Sequence, residues 1–139
     1  MYDRILFPTD GSKGAEKAVE HALSLAEKYD AELYVLNVVD IRSQSTADVW
    51  NNVLGELEEA GREITEEIVE SAKDESIEVN SEVIKGIPSK EIVSYAEEND
   101  VDLIVMGTHG RTGLDRVLMG SVAEKVVRTA DSPVMTVRE

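Results

Sequence analysis

With 139 residues, the chain is long enough for one domain with its own core, since single domains most often run to roughly 100–150 residues. It contains no cysteine, which excludes disulfides, thiolate metal sites and cysteine nucleophiles. Its 29 acidic residues outnumber its 14 basic residues, and the net charge of −15 argues against nucleic acid or an anionic membrane as a partner.

The composition and the first residues favour the cytoplasm. No apolar run approaches the roughly 18 residues that a membrane-spanning helix needs. Residues 1–12 lack the basic start, the apolar stretch and the cleavage site of a signal peptide. The acidity is either that of an ordinary acidic protein or a halophilic adaptation, in which a charged surface keeps proteins soluble in a salty cytoplasm. We favour the halophilic hypothesis.

Short apolar runs alternate with helical patterns along the chain. The first strand is predicted over 4–8, where the run ends at Pro8 before the turn sequence Thr-Asp-Gly-Ser. A helix is predicted over 14–29, because apolar residues recur there on one helical face. The nearly continuous apolar run over 32–39 predicts a second strand that is covered on both sides.

The middle of the chain contains the longest predicted helix. A polar linker over 40–47 precedes a helix over 48–74, in which Gly55 and Gly61 leave a bend or a break open. Residues 77–84 alternate between apolar and polar side chains, which favours a third strand near a sheet edge.

The last third repeats the same alternation. Pro88 suits the first turn of a third helix that ends near Glu98. The remaining predicted elements are a buried strand at 101–106, a glycine-rich loop at 107–119, a helix at 120–130 and a final strand at 133–137.

Strands that alternate with helices predict right-handed crossovers and a parallel sheet with helices on both faces. The predicted fold class is therefore α/β, with one doubly wound domain spanning 1–139. Ligands of such sheets bind beyond the carboxyl ends of the strands, where the strand order reverses. Two unusual loops follow predicted strands, at 8–12 and at 107–121.

The second loop has properties of a phosphate site. Glycines let backbone N–H groups crowd an anion, and a helix that starts at Ser121 would direct its positive end towards it. Residues 107–128 carry four basic and two acidic side chains, which makes them the one basic segment. The glycines alone are equally consistent with turns and a helix start. Neither GxxxxGK[ST] nor GxGxxG after the first strand is present, which counts against P-loop NTPases and dinucleotide dehydrogenases.

Several motifs resemble the universal stress protein family. The family pattern G-x2-G-x9-G-[ST] is filled by Gly107, Gly110, Gly120 and Ser121. Further typical segments are Pro-Thr-Asp-Gly-Ser (8–12), Leu-Asn-Val-Val (36–39), Gly-Ile-Pro (86–88), Leu-Ile-Val-Met-Gly-Thr-His-Gly (103–110) and Ser-Pro-Val-Met-Thr-Val (132–137). The match covers essentially the whole chain. It implies five parallel strands in the order 3-2-1-4-5, in which the two loops meet.

The resemblance also implies a ligand, since family members with the complete glycine pattern resemble ATP binders. We expect ATP, with AMP or another adenine nucleotide left open, accompanied by Mg²⁺ or Mn²⁺. The four motif residues would hold the phosphates, with backbone help from His109, Arg111 and Val122. The ribose side would be met by Pro8, Thr9 and Asp10, with Asp10 near the divalent ion. Val38 would present its backbone to the adenine. Met106 would also contact the nucleotide or serve only in packing.

Some of these residues have a second interpretation. Asp10 either contacts the ligand or caps a turn with Gly11. Arg111 and Arg116 are either phosphate clamps or solvated loop charges. His109 is expected to pack over the phosphate loop rather than to act as a general base.

The resemblance implies a regulatory, stress-response nucleotide-binding module. A flat apolar edge over 133–138 favours pairing with a second copy, so we expect a homodimer that an unknown downstream protein reads. The alternatives are a slow ATP-hydrolysing or adenylyl-transferring enzyme and a nucleotide-free dimeric scaffold. No group stands out that would orient an attacking water, so we expect a slow ATPase at most, and no catalytic residue is assigned.

Overall fold

The computed structural model describes residues 1–42, 47–108 and 120–138. Within these ranges, five strands and four helices alternate. None of the described helices combines the length and the apolar character that crossing a membrane requires. The elements are β1 (Arg4–Pro8), α1 (Lys13–Tyr29), β2 (Glu32–Asp40), α2 (Ala47–Asp74), β3 (Val79–Gly86), α3 (Pro88–Glu98), β4 (Leu103–Gly107), α4 (Ser121–Thr129) and β5 (Val134–Val137).

All strands are parallel and lie in the order β3-β2-β1-β4-β5. In β1, Ile5 pairs with Leu33 of β2 on one side and with Leu103 of β4 on the other. The strand order therefore reverses at β1, and the loops after β1 and β4 leave neighbouring strand ends. The predicted fold class and strand order are confirmed.

The core has two layers, one on each face of the sheet. Successive side chains of a strand point to opposite faces, so Ile5 and Phe7 pack with α1 and α2, whereas Leu6 packs with α3 and α4. Both faces of the central strands are covered, which explains their nearly continuous apolar sequences. Small side chains let α1 lie close to the sheet, and these are Ala15, Ala18, Ala22 and Ala26.

The long helix α2 runs without a break through both of its glycines. Its amphipathic face packs against β2 and β3, and this packing outweighs the low helix propensity of glycine. The two glycines differ in surroundings. A Cβ at Gly61 would lie 2.5 Å from Asn37 Oδ1, whereas a Cβ at Gly55 would have no atom within 4 Å. At Gly61, α2 is thus packed directly against a side chain of β2.

The largest boundary differences concern β3 and β4, which begin two residues later than predicted. Pairing with β2 starts only when Leu33 lies opposite Val79. Ile77 is buried in the core before the ladder begins. The prediction that this strand lies at a sheet edge is confirmed, and three successive residues, Asn80 to Glu82, are exposed.

Candidate functional site

A cleft of about 480 Å³ opens beyond the carboxyl ends of β1, β2 and β4. The strand ends and the loop after β1 line it, together with one face of α2, residues of α3 and the first turn of α4. A cleft of this size suits a small organic molecule. It lies where the strand order reverses, which is the position that this type of sheet favours for ligands.

The loop after β1 is held by hydrogen bonds to its backbone N–H groups. The Thr9 N–H donates to the Leu36 carbonyl at 2.9 Å, which extends the β1–β2 pairing by one bond. Asp10 Oδ1 accepts from the Ser12 N–H at 2.9 Å, and Thr9 Oγ1 accepts from the Gly11 N–H at 3.1 Å. The carboxylate of Asp10 thus shapes the turn and also lines the cleft, so the two interpretations of this residue are compatible.

The end of β2 contributes a buried amide and a carboxylate. Asn37 is 7% exposed, and its Nδ2 donates to the Thr9 carbonyl at 2.9 Å. Asp40 accepts from Arg42 through both carboxylate oxygens, at 2.9 Å from Nε and 2.6 Å from Nη2. The side-chain hydrogen bonds from Arg42 lower the pKa of Asp40 below its usual value. Asp40 is therefore a fixed negative charge at the cleft.

The end of β4 is packed tightly against the start of α1. A Cβ at Gly107 would lie 2.8 Å from the backbone carbonyl carbon and oxygen of Gly14. The Thr108 N–H donates to the Val137 carbonyl at 3.0 Å, and the Gly120 N–H donates to the Thr108 carbonyl at 2.5 Å. The latter bond fixes the start of α4 next to the end of β4.

The N-terminus of α4 faces the cleft. Gly120 is its N-cap and provides no side-chain cap, and its carbonyl accepts the N–H of Glu124 at 2.9 Å. The N–H groups of Ser121, Val122 and Ala123 belong to the first turn, where a helix offers no internal acceptor. These three residues line the cleft, so the positive end of the helix dipole is directed towards it.

The lining is mainly apolar. Among the described lining residues, Asp10 and Asp40 carry the only charges. The Ser12 hydroxyl oxygen is buried and has no hydrogen-bond partner among the described residues. A buried hydroxyl without a partner is unfavourable, so Ser12 presents an available donor at the start of α1. The apolar walls include Leu36, Val38, Val39, Val53, Leu57, Ile64, Ile92 and Met106.

The structure brings together the described residues that the sequence singled out. The lining includes Pro8, Thr9, Asp10, Val38, Met106, Gly107, Gly120, Ser121 and Val122. His109, Gly110, Gly113, Arg111 and Arg116 lie outside the described residues. Ligand contact by each of these residues stays a prediction.

Sequence reasoning missed the contribution of α2 and part of β2. Gly61 and Ile64 line the cleft from α2, and Asn37 and Asp40 line it from β2. The sequence could have identified Asp40 as a cleft residue. It stands at the carboxyl end of a central strand, much as Asp10 follows one, and ligands of such sheets bind there. Gly61 also carried a signal, since a glycine inside an otherwise regular helix often marks a close approach. No local pattern pairs it with Asn37.

Metal binding by protein groups alone finds no support in the described part of the chain. No group of three or more His, Asp or Glu side chains that could hold a metal occurs there. Asp10 lines the cleft as one carboxylate. One carboxylate suits Mg²⁺ when phosphate oxygens of a bound ligand supply further ligands.

Comparisons with known proteins agree with the fold. The model of the universal stress protein family matches residues 1–138. Universal stress protein MJ0531 of Methanocaldococcus jannaschii is 39% identical, over 100% of this chain and 84% of the relative. MJ0577 of the same organism is 34% identical, over 99% of this chain and 96% of the relative.

Two solved structures extend these comparisons. The structure of MJ0577 has a TM-score of 0.92 at 36% identity and covers 100% of this chain and 97% of that chain. A universal stress protein solved in complex with cAMP has a TM-score of 0.76 at 26% identity, covering 99% of this chain and 97% of that chain.

Proposed function

The chain belongs to the universal stress protein family, and we propose that it is a regulatory module that binds an adenine nucleotide, with ATP as the ligand, and acts as a homodimer. The observation that carries the nucleotide proposal is the cleft, where an apolar wall and the N-terminus of α4 meet at the reversal of the strand order. The related protein in complex with cAMP supports an adenine nucleotide as the class of ligand.

The two ends of the cleft suit the two ends of a nucleotide. An adenine ring requires apolar contacts and a few backbone groups, and Val38 with its apolar neighbours from α2 and α3 provides such a wall. Phosphates require N–H donors and positive potential, which the first turn of α4 supplies. Asp10 would hold Mg²⁺ jointly with the phosphate oxygens, and the ion would offset the repulsion between its carboxylate and the phosphates.

A charge substitution at the start of α4 tests this orientation. Ser121 is exposed in the first turn and lines the cleft. In Ser121→Asp, the carboxylate interacts favourably with the helix dipole, so the variant should fold normally while repelling phosphates. Ser94→Asp on α3 is the matched control, because it adds the same charge at an exposed residue away from the cleft.

The assay is calorimetric titration with ATP and Mg²⁺ and, separately, with adenosine. We expect Ser121→Asp to weaken ATP binding by about tenfold or more while adenosine affinity stays nearly constant. Ser94→Asp should bind both as the unmodified protein does. Equal losses for ATP and adenosine would contradict the orientation, and no binding of ATP by the unmodified protein would refute the proposal.

Regulation rather than turnover is the role that we propose for the bound nucleotide. Hydrolysis needs a group that positions water for attack on the terminal phosphate. The two carboxylates that line the cleft serve other purposes in this proposal, since Asp10 holds the metal ion and Asp40 is paired with Arg42. Occupancy would then be read by a downstream protein. Phosphate release by the purified protein at several turnovers per second would contradict this role.

The homodimer would form through the outer edge of β5, which is the last strand of the sheet. The Ile104 N–H donates to the carbonyl of Pro133, the residue before β5, and the Thr108 N–H donates to the Val137 carbonyl. The backbone groups of alternate residues from Pro133 to Val137 therefore face β4. The alternating Thr136 directs its N–H and carbonyl outward, where a second copy can pair with them.

Thr136→Pro tests the edge, because it removes an outward N–H without removing a hydrogen bond to β4. We expect a dimer for the unmodified protein and a folded monomer for the variant, by light scattering at micromolar concentration. A monomer before substitution would refute the dimer.

A further inference from the structure

Asn37 and Gly61 stand out because they meet beneath α2, where a buried polar side chain lies against a residue without a side chain. The Asn37 side chain is polar and 7% exposed, and its Nδ2 spans the gap to the loop after β1. Gly61 lies directly above it, since a Cβ there would approach Asn37 Oδ1 to 2.5 Å and Val83 Cγ1 to 3.1 Å. Any side chain at residue 61 would displace the carboxamide or lift the helix.

The hydrogen bond from Asn37 replaces a regular bond of the sheet. The Thr9 N–H donates to the Leu36 carbonyl. In a parallel ladder, the next bond would run from the Val38 N–H to the Thr9 carbonyl. Instead, Asn37 Nδ2 donates to that carbonyl at 2.9 Å. Because Leu36 faces β1, Val38 two residues later faces the same way, beyond the end of β1 and towards the cleft.

We propose that Asn37 and Gly61 are a positioning pair that sets the base selectivity of the cleft. Gly61 leaves the space for the carboxamide, and the carboxamide holds the Thr9 carbonyl so that the Val38 peptide stays available to the base. A peptide that offers one N–H and one carbonyl matches the acceptor and amino donor of adenine, whereas guanine presents a carbonyl acceptor where adenine has its amino group. This inference rests on the proposed nucleotide function.

The proposal predicts a specific rearrangement when Asn37 is replaced by an apolar side chain of similar shape. In Asn37→Leu, the Val38 N–H should complete the ladder by donating to the Thr9 carbonyl. Its amide hydrogen should then exchange with solvent at least about tenfold more slowly in the ligand-free protein, since exchange requires the new hydrogen bond to open. A merely destabilising substitution would speed exchange instead of slowing it.

Gly61→Ala tests the other half of the pair, and Gly55→Ala on the same helix is its control because its Cβ meets no atom within 4 Å. The measurements are amide exchange by NMR and the dissociation constants of ATP and GTP. In Asn37→Leu and in Gly61→Ala, we expect the dissociation constant of ATP to rise by about tenfold, which corresponds to the loss of roughly one hydrogen bond. The dissociation constant of GTP should change by less than about threefold. Gly55→Ala should leave both affinities and the Val38 exchange rate unchanged.

The outcomes separate this inference from the proposed function. If Asn37→Leu or Gly61→Ala matches Gly55→Ala in the exchange rate of the Val38 amide and in the ratio of ATP to GTP affinity, the positioning pair is refuted. If the unmodified protein binds neither nucleotide, the proposed function and the selectivity are refuted together. Slower Val38 exchange in Asn37→Leu would still show, without any nucleotide, that Asn37 holds the Thr9 carbonyl.

Discussion

Replacing Gly107 with alanine should destabilise the fold, because the space for a side chain is occupied by backbone. The added Cβ would lie 2.8 Å from the carbonyl carbon and oxygen of Gly14 and 3.2 Å from the Ala15 N. These atoms belong to the first turn of α1, so relief requires moving the whole helix away from β4. Overpacking of this kind costs about 1–3 kcal/mol, and we expect about 2 kcal/mol for Gly107→Ala.

The expected loss is large enough to measure by thermal unfolding. For a chain of 139 residues, the unfolding entropy is about 0.3 kcal/mol per degree, so a loss of about 2 kcal/mol lowers Tm by about 7 °C. Gly55→Ala should raise Tm by about 3 °C, because it improves helix propensity by about 1 kcal/mol in open space.

Both variants are to be compared with the unmodified protein by circular dichroism without nucleotide, so that ligand binding does not contribute to the difference. A Gly107→Ala protein as stable as the original would refute the packing role of this glycine. It would leave ligand contact as the reason for glycine at this position.

Three further predictions concern charge. Because Arg42 holds the pKa of the Asp40 carboxyl below its usual value, Arg42→Ala should raise that pKa in an NMR titration. The contribution of the pair to stability is present at neutral pH and is lost as the pH falls through the lowered pKa. Burial, aided by Glu82, raises the pKa of Tyr95 to about 12, so stability should fall as the pH rises from 10 towards 12 in the unmodified protein and fall less in Tyr95→Phe. With a net charge of −15, the halophilic hypothesis predicts a Tm that rises from low salt to molar KCl, and an unchanged Tm would contradict it.

The fold class and the two core layers could be anticipated because they depend on repeating patterns. Alternation of apolar runs with helical periods determines the fold class, and the family motifs supply the strand order. The same reasoning placed Asp10 and Ser121 near each other, since both follow central strands of one parallel sheet. The strand that a residue follows is enough to place it at this edge of the sheet, without knowledge of its tertiary contacts.

Contacts between distant elements could not be anticipated. How closely α2 lies on β2 depends on Gly61, Asn37 and Val83 together, and no local pattern connects them. Gly107 shows that a motif can leave a packing contact unnoticed. Its place in a ligand motif suggested a role in phosphate binding, whereas the structure also shows a packing requirement set by Gly14 of α1.

The most direct test of nucleotide binding in the cleft is an NMR titration of backbone amides with ATP and Mg²⁺. We expect the shifts to concentrate at residues 9, 10, 12, 36–40 and 120–123, which line the cleft. The exposed end of α4 around Val127, which is 45% exposed, should stay unchanged. Shifts centred away from the cleft, or none at saturating nucleotide, would contradict nucleotide binding in the cleft.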